Sequence, residues 1–236
     1  MKASIAQLVQ MPGVWRGGEL EQVIHEVVPT GHARLDAELP GGGWPMGTLS
    51  EVLHDGVGIG EVSFLAGALA RAAEGSRMIA WINATHLPYA PALAQAGIPL
   101  ERCLVVRPAD REDALWAAEQ SLKSGACGAV LLWMERFAEE YAWLRRLQMA
   151  AESGRAMAVL FRSTAAERHS TPSHLRVVAM SEHAQLTIRI PKRRGPPLSK
   201  PLALRSNDSP CSGSRSNFPL SLSRSQNAPV LVSSRS

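Results

Sequence analysis

His54-Asp55-Gly56-Val57-Gly58-Ile59-Gly60-Glu61-Val62 follows the strand-like Thr48-Leu49-Ser50-Glu51-Val52-Leu53 and precedes an apolar, helix-like run. Strand, glycine-rich turn and helix, in that order, are the layout of a phosphate-binding loop. A working loop reads Gly-x-x-x-x-Gly-Lys-Ser/Thr. On that template Asp55 replaces the first glycine, Glu61 the lysine and Val62 the hydroxyl residue, while Gly56, Gly58 and Gly60 keep the turn glycine-rich. The cation that meets phosphate becomes an anion, and the hydroxyl that holds magnesium becomes a methyl group. Two carboxylates are then expected to face the space of a triphosphate, where they repel it.

Upstream stand Thr30-Gly31-x-x-x-Leu35-Asp36, then Leu39-Pro40-Gly41-Gly42-Gly43-Trp44-Pro45-x-Gly47, then Glu51. This spacing resembles the RecA family's approach to its phosphate loop. Within that family it is similar to the branch that holds the translesion-synthesis accessory protein ImuA and the division inhibitor SulA, and the Leu39–Pro45 form looks most like ImuA. The resemblance covers roughly residues 14 to 204.

RecA-type ATPases carry an acidic residue at the end of one strand, to close the magnesium site, and a glutamate after another, to activate water. The matching stretches here are Val130-Leu131-Leu132 followed by Trp133, and Ile82-Asn83-Ala84-Thr85-His86, with Thr85 at the glutamate's place. Phosphate cation, magnesium hydroxyl, magnesium carboxylate and base are all replaced. Phosphoryl transfer rests on positioning and electrostatics, so their joint loss implies a non-enzymatic protein with a degenerate nucleotide site, no cofactor and no metal. A dinucleotide site fares no better, because the Rossmann spacing needs glycine where Glu61 stands. The seven histidines show no metal-ligand spacing, and no Gly-x-Ser-x-Gly elbow is present.

The rest of the chain fits the same fold class, an α/β RecA-like domain with a mainly parallel central sheet flanked by helices. Helices are expected over 61–74, 88–95, 110–123 and 139–153, with Asp110 as an N-cap and Tyr141, Leu144 and Ala151 turned inward. Strands are expected at 78–82, 103–106, 129–133 and 157–161, then an antiparallel edge pair at 175–180 and 186–190. Trp81, Trp116, Trp133 and Trp143 read as core or helix-packing residues, although an exposed Trp143 beside Arg145 and Arg146 would mark a contact surface. Three domain segments follow: an N-terminal helical segment at 1–27, the RecA-like domain at 28–204, and a disordered Ser/Arg-rich tail at 205–236. From Ser199 onward 12 of 38 residues are Ser, a composition that buries too little apolar surface to offset chain entropy.

Charge is uneven. Residues 192–236 hold eight Lys and Arg against Asp208 alone, a net +7, which leaves −3 for the remainder of a chain of net +4. The body is therefore mildly acidic, and only the basic tail offers weak, salt-sensitive contact with nucleic acid. No apolar run approaches the ~18 residues of a membrane span, and the N-terminus lacks the apolar stretch of a secretory signal, so a cytoplasmic location is expected. Cys103, Cys127 and Cys211 form neither a metal spacing nor a disulfide framework and read as free thiols, the first two buried.

The ImuA resemblance implies a role in damage-induced translesion synthesis, with an ImuB-like inactive Y-family polymerase and an error-prone replicative-type DNA polymerase as partners. Gly128–Trp133 and the stretch from Arg146 to Phe161 also resemble SulA, which implies the alternative, an inhibitor of cell division that binds the tubulin-like protein FtsZ.

Overall fold

A strand buried at every residue needs a partner on each side and cover on both faces, and Thr48–Leu53 is such a strand. The computed structural model describes residues 26–56, 59–134, 141–182, 185–195, 198 and 200–204. In chain order its elements are β1 (Val27–Val28), α1 (Ala33–Asp36), β2 (Trp44–Pro45), β3 (Thr48–Leu53), α2 (Ala66–Ala72), β4 (Met78–Ile82), α3 (Ala90–Gln95), β5 (Cys103–Val106), α4 (Arg111–Lys123), β6 (Cys127–Trp133), α5 (Tyr141–Gly154), β7 (Met157–Arg162), β8 (Leu175–Glu182), β9 (Gln185–Lys192) and β10 (Leu202–Leu204).

Eight strands form one sheet in the order β10-β9-β8-β3-β7-β6-β4-β5, and β1 pairs with β2 apart from it. From β8 to β5 every pair is parallel, whereas β8–β9 and β9–β10 are antiparallel. The fold is thus mixed α/β with a mainly parallel sheet, as expected. One face carries Val52, Trp81, Leu131, Val159 and Phe161 beneath Phe64, Leu65 and Leu69 and the front-end residues Leu35 and Trp44. The other carries Leu49, Ala80, Ile82, Val130 and Leu160 against Leu115 and Leu122 of α4 and Leu144 and Leu147 of α5. Burying such side chains supplies roughly 1.5–3 kcal/mol each.

The front end is held by its own motif. The Thr30 N–H donates to Asp36 Oδ1 at 2.8 Å, and the His32 N–H donates to Thr30 Oγ1 at 3.1 Å. Leu35 between them is fully buried. Gly67 of α2 lets this loop come close, because a methyl there would overlap the Thr30 carbonyl. On the opposite face Gln148 of α5 reaches the start of β3. Its Oε1 accepts from the Leu49 N–H at 2.8 Å and from Thr48 Oγ1 at 3.1 Å.

Several expectations are corrected. The helix expected over 61–74 opens as a 3-10 turn at Ser63–Leu65 and is α-helical only over Ala66–Ala72. Asp110 does cap α4, accepting from the Asp113 N–H at 2.8 Å. Tyr141 is 54% exposed rather than inward, and Trp116 is 62% exposed rather than packed. Cys127 is buried, but Cys103 is only half-buried. The expected edge pair β8–β9 does not end the sheet, because β10 adds beyond it and β8 lies inside against β3. A three-residue strand, Leu202–Leu204, gave too short a pattern to read. Val27 belongs to β1, while residues 1–25 of the N-terminal segment and the tail from 205 lie outside the described residues.

Gly128 lets β6 begin directly under the end of α2, since a methyl on it would overlap the Ala72 carbonyl. Gly128→Ala is expected to destabilise the fold by about 1–3 kcal/mol through overpacking. An unchanged urea midpoint would show that this close approach is not a constraint.

Candidate functional site

The carboxyl end of β3 leads into the loop that the sequence singled out. The His54 N–H donates to the Arg162 carbonyl at 2.9 Å and so extends the β3–β7 pairing by one residue. The buried His54 ring places Nδ1 3.0 Å from the Gly56 carbonyl oxygen. Asp55 turns toward the chain leaving β7. Its Oδ1 accepts from Ser163 Oγ and from the Thr164 N–H, both at 2.9 Å, and its Oδ2 accepts from Thr164 Oγ1. The Thr164 hydroxyl foremost, then the Thr164 N–H and the Ser163 hydroxyl, hold the Asp55 carboxyl below the usual carboxylate range. The expectation that Asp55 and Glu61 together face an open phosphate space is therefore corrected for Asp55, whose oxygens are engaged by the neighbouring segment.

Gly58 lies outside the described residues. Past it the loop closes on itself. The Gly60 carbonyl accepts from the Ser63 N–H at 2.9 Å and from Ser63 Oγ at 2.6 Å, and the Leu65 N–H donates to Val62 at 3.0 Å. These two N–H groups at the helix start are spent on the 3-10 turn. Glu61 is half-buried, and Val62 packs against the first core face.

The two other positions singled out in the sequence lie apart. Thr85 is exposed in the loop after β4. Trp133, the last residue of β6, is buried and stacks on Phe161 at 4.3 Å between centroids and 8° between planes. Trp81 continues the stack at 5.9 Å, and His54 meets Phe161 edge-on at 6.0 Å. An aromatic row thus runs beneath the carboxyl ends of four adjacent strands. The Trp133 carbonyl accepts from Asn83 Nδ2 at 2.7 Å. Among the described residues no group of His, Cys, Asp and Glu side chains is arranged to hold a metal ion.

Beside the loop, Glu51 is fully buried in the middle of β3. Arg176, its register partner on β8, meets Glu51 Oε2 through Nε at 2.8 Å and Nη2 at 2.7 Å. Arg162 Nη1 lies 3.5 Å from the same oxygen, and Thr171 Oγ1 donates to Oε1. Arg176 Nη1 also donates to the carbonyls of Glu167 and His169, at 3.2 and 3.0 Å. Next to this cluster opens a cleft of about 970 Å³ lined by Asp55, Thr164, Glu167, Arg168, Met180 and Arg189 among others. Glu167 and Arg189 form a two-pronged pair at 2.7 and 2.8 Å within this lining.

Sequence reasoning noted Glu51 only as part of a motif and missed Arg162 and Arg176. A signal was available: a carboxylate inside an otherwise apolar central strand has to find buried cations. Trp143, weighed as a contact residue, is half-buried, with the Arg146 guanidinium 4.2 Å above its ring and held there by Glu119.

Residues 47–158 match the family described as cell division inhibitor SulA. The cell division inhibitor SulA of Edwardsiella piscicida is 36% identical over 87 residues, 37% of this chain and 51% of that protein. Protein RecA of Bartonella tribocorum is 30% identical over 136 residues, 56% of this chain and 39% of the relative. RecA of Thermus aquaticus is 29% identical over 119 residues, 50% and 35% of the two chains. The chain spans about half or less of the length of these curated relatives. The crystal structure of SulA from Pseudomonas aeruginosa aligns with a TM-score of 0.40 at 25% identity, covering 48% of this chain and 97% of that one. The sequence is RecA/SulA-like. No helix among the described residues is long and apolar enough to cross a membrane.

Glu51→Ala is expected to cost about 3–5 kcal/mol, because it leaves two buried guanidinium groups without their anion. A loss below about 1 kcal/mol in urea unfolding would mean that the cluster relaxes into water. Acid should act through the surface pairs. Lys123 first, with Arg146, lowers the Glu119 carboxyl, and Arg189 lowers Glu167. A depressed carboxyl contributes stability above its ordinary range of about 4 and loses it as pH falls through the folded value. Denaturation midpoints should therefore drop below pH ~4, and Glu119→Gln should make that drop shallower; an unaltered slope would exclude this cause.

Proposed function

We propose that the chain is a non-catalytic binding protein of the bacterial DNA-damage response, and that its role is SulA-like: restraint of cell division through direct contact with the tubulin-like protein FtsZ. The observation that carries this reading is the SulA family match, which spans the whole of β3, β4, β5 and β6 and enters β7. The relative from Edwardsiella piscicida, itself described as a cell division inhibitor, supports it. Support for a non-catalytic role comes from the loop. Glu61 and Val62 stand where lysine and a hydroxyl are needed, the Asp55 oxygens are taken by Ser163 and Thr164, and aromatic rings occupy the carboxyl ends of the strands.

A second reading rests on the front end. Residues 27–46 precede the SulA match, yet they form β1, α1 and β2 and pack on the core through Leu35 and Trp44. The RecA relatives also match longer stretches than the SulA relative does. This favours an ImuA-type accessory role in translesion synthesis, through an ImuB-like inactive Y-family polymerase and an error-prone replicative-type polymerase.

Expression in the native host, followed by microscopy and a mutagenesis assay, separates the two. The first reading expects filamentous cells, inhibition of FtsZ polymerisation by the purified protein, and induced mutagenesis that survives deletion of the gene. Normal division, together with co-purification of a Y-family polymerase homologue and loss of induced mutagenesis on deletion, would replace it by the second. Either way no magnesium-dependent ATP turnover is expected, and turnover abolished by Glu61→Ala would overturn the non-catalytic assignment.

A further inference from the structure

The cleft of about 970 Å³ lies where β3, β7 and β8 give way to their loops, and its volume is in the range of ligand-binding clefts. Ile59, Val178 and Met180 supply apolar lining, and Thr164, Arg168 and Ser181 supply polar lining. The last strand runs to the same end of the sheet. β10 is antiparallel to β9, and β9 to β8, so β10 points the way β8 does. Leu204 is in register with Leu186, which is in register with Ser181 of the cleft. The chain therefore leaves the sheet two strand spacings, about 10 Å, from the cleft lining.

The sequence beyond Leu204 falls into two parts. Residues 205–217 contain no Ala, Val, Ile, Leu, Met, Phe, Tyr or Trp, and Pro210 and Gly213 lie within them. Then comes Phe218-Pro219-Leu220-Ser221-Leu222, apolar at positions 218, 220 and 222. A polar tether followed by an alternating apolar segment is the pattern of a linker with a docking motif. In an extended segment the three large side chains fall on one side, and Pro219 biases Phe218 toward that conformation.

We propose that residues 218–222 dock as an extended segment in the cleft of their own chain. Phe218, Leu220 and Leu222 then cover Ile59, Val178 and Met180, while the exposed Arg168 and Ser181 are polar groups for the segment's backbone. The tether selects this occupant. A polar linker of 13 residues spans roughly 20 Å on average, which matches the distance from Leu204 into the cleft. Matched length sets an effective concentration of about millimolar, which a separate partner with a similar segment has to exceed. The run Val230-Leu231-Val232 is more distant in the chain and does not alternate. Proline-restricted chain also loses less entropy on docking. While docked, the segment covers the cleft beside the loop after β3.

Hydrogen–deuterium exchange of the full chain, read by mass spectrometry, tests the contact without either partner considered above. In the wild type, residues 216–224 are expected to exchange at least about fivefold slower than an unstructured chain. The triple variant F218S/L220S/L222S keeps tail length and charge, and it should speed exchange over residues 163–170 by a similar factor. Met180→Arg should release residues 216–224 to the unstructured rate, with the melting temperature recorded to confirm folding; if it unfolds, the triple variant decides. Equal exchange over residues 163–170 in wild type and triple variant would overturn the proposal. Protection of residues 216–224 that survives Met180→Arg in a folded protein would place the segment elsewhere and also reject it. Protection that rises with protein concentration would seat the segment in a second copy and exclude the contact within one chain.

Discussion

A carboxylate sealed inside the central strand sets the terms for half of this sheet. Glu51 has no access to water, and an unpaired charge in such a place costs several kcal/mol. It is compensated from both sides: Arg162 at the end of β7 and Arg176 on β8 converge on one of its oxygens. Arg176 reaches further, to the carbonyls of Glu167 and His169, so the same guanidinium also fixes the segment that crosses from β7 to β8. Where α4 and α5 cover the sheet, apolar packing positions the strands. Toward β8 the ion cluster adds a charged tie between Glu51 and its register partner Arg176 to the apolar packing of Leu175, Val177 and Ala179. This is a specification of geometry more than a reservoir of stability, since replacing such a cluster by well-packed apolar groups is often neutral.

The motifs that resemble the RecA approach owe their form to packing. Thr30 and Asp36 close a hydrogen bond, Leu35 fills the core, and Gly67 admits the loop they form. Glu51 is the centre of the ion cluster. None of these residues needs a nucleotide to explain its presence. The phosphate-loop positions differ: Asp55, Glu61 and Val62 each depart from the template, and Asp55 has taken up a new task, accepting hydrogen bonds at the start of the turn after β7. The resemblance therefore carries information about the scaffold, while the departures carry information about the chemistry.

Strong periodic signals read correctly. The apolar runs of β4, β6 and β7 and the capped α4 stand close to where the sequence put them, because length, alternation and Asp110 all agreed. What was not legible depended on partners distant in the chain. The strand β10 has three residues and gains its identity from β9. The 3-10 start of the helix after the loop follows from Ser63 bonding back to Gly60, a local choice that apolar spacing does not report. Tyr141 and Trp116 look like core residues by type, and only the orientation of α4 and α5 on the sheet leaves them outside. Arg162 and Arg176 are buried around Glu51, a dependence between three strands that no local pattern reports.

The front end and the last strand hold each other. Arg34 of α1 donates to the Ala203 carbonyl at 3.2 Å, across 169 residues of chain. Arg193 donates to the Glu38 carbonyl and lies 3.0 Å from its carboxylate, across 155 residues. A chain emerging from the ribosome therefore carries the β1–β2 pair without its distant fastenings until nearly all of the sheet has been made. Through that interval β9 has no outer neighbour, and its bare edge is the point at which an incomplete chain is open to pairing with another. The clasp closes only when residues 193–204 arrive, so the final dozen residues of the sheet decide when the molecule stops being sticky.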